Sequence, residues 1–174
     1  MQDRGIMRFL KNLCLIIFVA ISAFGCSVDS FIESKLVEPK RSNTFQIGSI
    51  NSNWTTLQGS LADVAYVNKN NSATISLNST CEKYQDNPLK QLMYNLLASL
   101  DEAKWEKDEY FTLDGREAYR VTLRAKADGV PVKAQAIVLR KNYCVYDFIY
   151  TAEPQHYQKT VKDFEKFVGS FHAW

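Results

Sequence analysis

Three rhythms of apolar and polar residues follow one another along this chain. An almost unbroken apolar run, Leu13 to Phe24, comes first. Alternating stretches begin near Thr44, and two stretches with a helical repeat interrupt and close them. Period two puts successive side chains on opposite faces of a strand, whereas apolar residues three and four apart share one face of a helix. On that basis "TFQI" (44–47) reads as a short strand and "NSNW" as a loop around Trp54. "ADVAYVN" (62–68) and "ATISLN" (73–78) flank the polar cluster "KNNS" and predict a hairpin. In "DNPLKQLMYNLLASL" the residues Leu89, Leu92, Met93, Leu96, Leu97 and Leu100 recur at spacings of three, one, three, one and three. They form one helical face, with Asp86 or Asn87 as cap and Pro88 in the first turn.

Strands return at "WEKDEYFTL". Asp114-Gly115 turns the chain, after which Tyr119, Val121, Leu123 and Ala125 alternate with Arg120, Thr122, Arg124 and Lys126. A second Asp-Gly pair, Asp128-Gly129, leads into "VPVKAQAIVLRK" and signals another hairpin, with Pro131 at a strand start or an edge. "YCVYDFIYTA" is apolar on both faces, as a central strand covered by helices would be. Tyr157, Val161, Phe164, Val168 and Phe171 then share one stripe of a closing helix, which Gly169 loosens. The expected class is α+β, an antiparallel sheet flanked by helices.

The apolar run at the start has a different meaning. Twelve helical residues span ~18 Å, short of the ~30 Å bilayer core. Arg8 and Lys11 precede the run, and the small residues Ala23 and Gly25 lie at its exit. This is the layout of a secretory signal peptide, starting at Met1 or Met7. "AFGC", Ala23 to Cys26, resembles the lipobox of bacterial lipoproteins. The resemblance implies that Cys26 is acylated and becomes the mature N-terminus, with 1–25 as the leader. Two or more acyl chains give a stable membrane anchor. Ser27 follows the cysteine, and by resemblance to enterobacterial sorting the absence of Asp there favours the outer membrane over the inner. The polar stretch "SVDSFIESKLVEPKRS" reads as a tether, giving a lipidated cysteine and tether over 26–42 and one globular domain over 43–174.

Removing the leader changes the charge picture. The whole chain has 21 basic and 19 acidic residues; without Arg4, Arg8, Lys11 and Asp3 it has 18 of each. A neutral exported chain lacks the basic excess of a nucleic-acid binder. Of four cysteines, Cys14 lies in the leader and Cys26 carries the anchor, leaving Cys81 and Cys144. Two thiols in an exported domain suggest one disulfide, the alternative being two buried reduced cysteines. His156 and His172 sit at no ligand-like spacing from a cysteine, so neither a metal nor a cofactor is expected.

The order of elements, together with "DGREAYRVTL" and the ending "FEKFVGSF", resembles the PsbP-like α/β/α sandwich over about Thr44 to Phe171. That family includes the extrinsic photosystem II protein PsbP and bacterial envelope lipoproteins. "GREAY" (115–119) and the final Ser170-Phe171 carry the likeness most specifically. The resemblance implies a scaffold whose members bind partners rather than catalyse.

Motifs of chemistry are missing: no Gly-rich phosphate loop, no HExxH and no GxSxG occurs. Two groups of residues stand out instead. Arg120, Arg124 and Lys126 share one side of a strand, which is either a solvated rim or a basic face for anionic head groups or an acidic protein. Asp147 interrupts "VYDFIY". It is either a carboxylate bonded within the fold or a recognition carboxylate in an aromatic pocket with Tyr146 and Tyr150. Two functions follow as expectations: a non-enzymatic adaptor lipoprotein for an envelope protein assembly, or a lipoprotein that handles lipid or a small ligand in an aromatic pocket between sheet and helix. The membrane is a partner in both, through the acyl chains.

Overall fold

A computed structural model describes residues 40–82 and 86–174. The leader, Cys26 and all of the tether before Lys40 lie outside the described residues. Among the described residues nine strands and two helices follow in the order β1 (Phe45–Gln46), β2 (Trp54–Thr56), β3 (Val64–Asn68), β4 (Thr74–Cys81), α1 (Leu89–Leu96), β5 (Asp101–Leu113), β6 (Arg116–Ala127), β7 (Val130–Lys141), β8 (Cys144–Ala152), α2 (Tyr157–Gly169) and β9 (His172–Ala173). Seven strands make one antiparallel sheet in the order β2-β3-β4-β8-β7-β6-β5, and β1 pairs with β9 in a small second sheet. The structure agrees with the expected α+β class.

Three two-residue turns build the β5–β8 meander. Asp114-Gly115, Asp128-Gly129 and Asn142-Tyr143 each have positive φ at both positions. Such turns match the right-handed twist of the flanking strands, and Gly adopts them without steric cost. The third turn has no glycine. Pro131 pairs with Lys126 on β6, while β8 reaches only as far as Lys133, so the missing N–H falls where β7 has a single neighbour.

The alternation read in the sequence sorts the two faces of the sheet. Tyr119, Val121 and Leu123 of β6, with Ala134, Ala136 and Val138 of β7, pack under Leu89, Leu92, Met93 and Leu97 of the α1 segment. Ile75 and Leu77 of β4, Ile137 and Leu139 of β7, and Tyr146, Phe148 and Tyr150 of β8 pack under Tyr157, Val161, Phe164 and Val168 of α2. Helices on both faces make the α/β/α sandwich. Burial of some twenty large apolar side chains, at roughly 1.5–3 kcal/mol each, is the main stabilising term. Pro88 stands at the N-cap of α1, which has no side-chain cap, so neither Asp86 nor Asn87 plays the expected part.

The marks of family likeness turn out to be scaffold features. Gly115 makes the first turn, and Ala118 and Tyr119 are fully buried. Ser170 Oγ accepts from the Gly48 N–H at 2.9 Å and donates to the Phe167 carbonyl at 2.6 Å. Phe171 has left the helix yet still stacks on Phe45 and meets Tyr146 and Phe148 edge to face.

Cys81 and Cys144 are register partners at the ends of β4 and β8 and form a disulfide, with Cα atoms 4.0 Å apart. β3 pairs with β4 only from Thr74 to Leu77, which leaves the last part of that β4 edge open. Residues 40–42 close it as a strap. The Cys81 N–H donates to the Lys40 carbonyl at 2.8 Å, and the Ser42 N–H donates to Ser79 Oγ at 2.7 Å. Residues 40–42 therefore pair with the sheet, because an open sheet edge recruits the chain beside it.

Asp114 fastens the other side of the same end. Its carboxylate accepts from Lys141 Nζ at 2.6 Å and the Ala173 N–H at 2.8 Å, and pairs with His172 Nδ1 at 2.8 Å. Burial works against its charge, but these partners win and hold its pKa at about 2.

Candidate functional site

α1 is only eight residues long and packs over β6 and β7. The rest of that sheet face, over β8, β4 and β3, carries a polar floor. Thr74, Ser76 and Asn78 of β4 stand opposite Thr151, Ile149 and Asp147 of β8. All six are half-buried, whereas their neighbours Ile75, Leu77, Phe148 and Tyr150 point to the other face and are fully buried. The Thr74 and Thr151 hydroxyls lie 2.6 Å apart. The loop from Leu57 to Ala62 overhangs the β3–β4 side, enclosing a cleft of about 360 Å³ with Ala65, Ser76 and Asn78. Leu61 at its rim is 91% exposed.

Two charged groups define the chemistry of this floor. Asp147 stands between Asn78 and Val138 at the centre of the sheet. Burial pushes its carboxyl up to about 7, with Arg41 drawing it partly back. Arg41 arrives on the strap and donates to the carbonyls of Leu61 at 3.1 Å and Ser79 at 3.2 Å. It also reaches Asn78 Oδ1 at 3.5 Å and Asp63 Oδ1 at 3.8 Å. Asp63 Oδ2 in turn accepts from both the N–H and the hydroxyl of Ser79. The arrangement offers hydroxyls, an amide and a carboxyl that gains or loses a proton near neutrality. It offers no nucleophile paired with a base.

The aromatic pocket of Asp147, Tyr146 and Tyr150 does not exist as a unit. Residues 146 and 150 lie on the α2 face and residue 147 on the α1 face, because adjacent strand positions point in opposite directions. Both tyrosines are core. The Tyr146 hydroxyl bonds Ser42 Oγ at 2.9 Å, and the Tyr150 hydroxyl donates to the Tyr157 carbonyl at 2.9 Å and meets Thr160 Oγ1 at 2.8 Å. The rings of Tyr146, Phe148, Tyr150, Phe164 and Phe171 fill the layer between sheet and α2, which a pocket there would need to leave open.

The basic face is also altered. Arg120, Arg124 and Lys126 do share one side of β6, but each meets a glutamate of β5. Arg120 pairs with Glu109 at 3.2 Å, Arg124 with Glu106, and Lys126 with Glu102 at 2.6 Å. Glu106 also takes Lys133 at 2.5 Å. Two register shifts in β5, around residues 102–103 and at 106, bring Glu102 and Glu106 to this side. Hydrogen bonds from Lys126 hold the Glu102 carboxyl low, and those from Lys133 and Arg124 do the same for Glu106. Arg120 also covers the Phe111 ring at 4.2 Å. The face is a neutralised ladder rather than a positive patch.

Sequence reasoning missed Arg41, Ser76 and Asn78. A usable signal was present in "TISLNSTC", where one face reads Thr, Ser, Asn, Thr while the other reads Ile, Leu, Ser, Cys. Among the described residues no group of three or more His, Cys, Asp or Glu side chains is placed to hold a metal ion, and no helix is long and apolar enough to cross a membrane.

No protein-family model and no curated protein matches the chain. Solved structures do. The chain is similar to the cyanobacterial PsbP (CyanoP) of Synechocystis, with TM-score 0.52 and 13% identity over 75% of this chain and 93% of that one. It is similar also to LpqN of Mycobacterium tuberculosis, described as involved in cell envelope biogenesis, with TM-score 0.54 and 14% identity over 78% and 84%. A Bacteroides thetaiotaomicron protein matches with TM-score 0.51 and 10% identity, over 75% of this chain and 45% of that one. The domain has the PsbP-like fold.

Proposed function

We propose that this protein is a non-enzymatic binding lipoprotein of the bacterial cell envelope. Acylation of Cys26 anchors it, the periplasm holds its domain, and a partner protein docks on the polar floor around Asp147. The observation that carries the reading is the uncovered half of the α1 face. Among the described residues no helix packs over Thr74, Ser76, Asn78, Asp147 and Thr151, which are half-buried donors and acceptors. Buried polar groups are normally paired, so a floor of this composition suits a polar partner surface better than lipid tails. The similarity to an envelope-biogenesis protein supports the compartment.

A photo-crosslinking residue at Ser76 or Asn78 tests this in living cells, with Lys159 on the exposed side of α2 as control. The expected result is one discrete adduct with an envelope protein from each floor position and none from Lys159. Uncrosslinked protein at both floor positions, in cells where Cys26 is acylated, would overturn the docking assignment.

A further inference from the structure

One end of the seven-stranded sheet gathers exposed aromatic and basic side chains around its turns. Here β4 and β7 finish and β6 and β8 begin. The β7–β8 turn places Tyr143 at φ 62°, a left-handed conformation that bulky L residues avoid. The other two meander turns have Gly in that place. Tyr143 is strained there where Gly would not be, and no burial offsets this, since the residue is 77% exposed. Trp174 follows β9, which Asp114 ties to the same end, and is 60% exposed. Beside the turn opens a cleft of about 380 Å³ whose charged lining is Arg116, Arg140 and Lys141 against Glu117.

The path of the chain gives this end a neighbour. Lys40 is bound to Cys81 at this end, and the sequence upstream leads back to Cys26. The intervening residues reach ~50 Å at most when extended, so an anchored Cys26 keeps this end within reach of the bilayer surface. Tyr and Trp are the side chains favoured at headgroup depth, and basic residues are drawn to an anionic membrane surface.

We propose that this end of the sheet rests on the membrane surface, with Tyr143 and Trp174 at headgroup depth and the cleft of Arg116 and Arg140 taking the phosphate of an anionic phospholipid. The inference rests on the anchored reading for its geometry, yet it is tested apart from it. The probe is the mature chain carrying Cys26→Ser, which has no acyl chain, sedimented with vesicles of phosphatidylethanolamine and phosphatidylglycerol. Binding is expected, weaker to phosphatidylcholine vesicles and weaker at high salt. Arg116→Ala with Arg140→Ala should lower vesicle affinity about thirtyfold, from the loss of roughly 1 kcal/mol for each of the two basic residues. Tyr143→Gly should weaken vesicle binding while raising the melting temperature, a combination that a purely structural tyrosine would not give. Vesicle binding unchanged in both variants, or equal on zwitterionic vesicles, overturns the proposal. Incorporation of labelled palmitate into the wild type, measured in parallel, keeps the two readings distinct. An acylated protein whose domain ignores vesicles refutes the docking alone, and a vesicle-binding domain without palmitate refutes the anchor alone.

Discussion

Asp147→Asn should stabilise the domain at neutral and alkaline pH. The wild-type carboxyl is raised from 3.8 to about 7, chiefly by burial. Below about pH 4 it is protonated in both folded and unfolded chains and has no linkage effect. As the pH rises from 4 to 7 the unfolded chain releases its proton and the folded one keeps it, so the wild type loses stability. Above 7 both forms are ionised and the loss is complete. Three pH units at 1.36 kcal/mol each give a ceiling of about 4 kcal/mol. The side chain is only half-buried, so on the order of 2 kcal/mol is the expected size. Asparagine keeps the shape, cannot ionise and faces Asn78 across the β4–β8 ladder. Urea unfolding at several pH values between 4.5 and 8, extrapolated to water, measures the difference. Curves for the two proteins should converge at the acid end and separate towards the alkaline end. Parallel curves, or an asparagine variant less stable than wild type at pH 8, would refute the burial argument and imply that water or an unseen partner solvates the charge.

Four further outcomes are expected. Asp114→Ala should cost about 3–5 kcal/mol, because it strands the nearly buried Lys141 ammonium and releases β9; in the wild type, the roughly 2 kcal/mol held by the lowered carboxyl should fade as the pH falls from about 4 towards 2. Replacing Cys81 and Cys144 by Ser should lower stability by about 4 kcal/mol for a loop of 63 residues, and denatured non-reduced mature wild type should show no free thiol. Arg120→Ala with Arg124→Ala should preserve a cooperative melt with a loss of about 1 kcal/mol, since Arg124 is exposed and Arg120 stands at the edge of the core; an unfolded variant would show that the Phe111 contact dominates. Cys26→Ser should abolish palmitate incorporation and leave only a salt-sensitive hold on the membrane, so that a high-salt wash releases the variant and not the wild type; failure of labelled palmitate to enter the wild type refutes the anchor.

Much of the fold was legible because periodicity reports burial directly. Leu89 to Leu97 and Tyr157 to Val168 pack as the helical spacing requires, and β6 and β8 sort their faces as alternation requires. Grouping Asp147 with Tyr146 and Tyr150 ignored that same alternation, so the sequence already held the correction. The ladder was hidden for another reason. Two shifts of register in β5 move Glu102 and Glu106 to the side of the arginines, and no simple period of two survives an inserted residue. The strap was out of reach too, because Arg41 and Ser42 are ordered by an open β4 edge far away in sequence. The floor around Asp147 follows from a length mismatch, a seven-stranded sheet under an eight-residue helix, which local pattern does not report.

The disulfide has a mechanical meaning as well as a thermodynamic one. Between Cys81 and Cys144 lie α1 and the whole of β5, β6 and β7. A tensile load entering at Lys40 can peel the strap, unzip β1 from β9 and draw out β2, β3 and β4. At Cys81 the covalent bridge diverts the load straight to Cys144, and about 200 Å of contour length is withheld from extension. The meander becomes a passenger that no pull on the ends can straighten. A protein moored to one layer of the envelope and held by a partner in another would yield first at its margins, keeping half of its sheet as an unstretched knot.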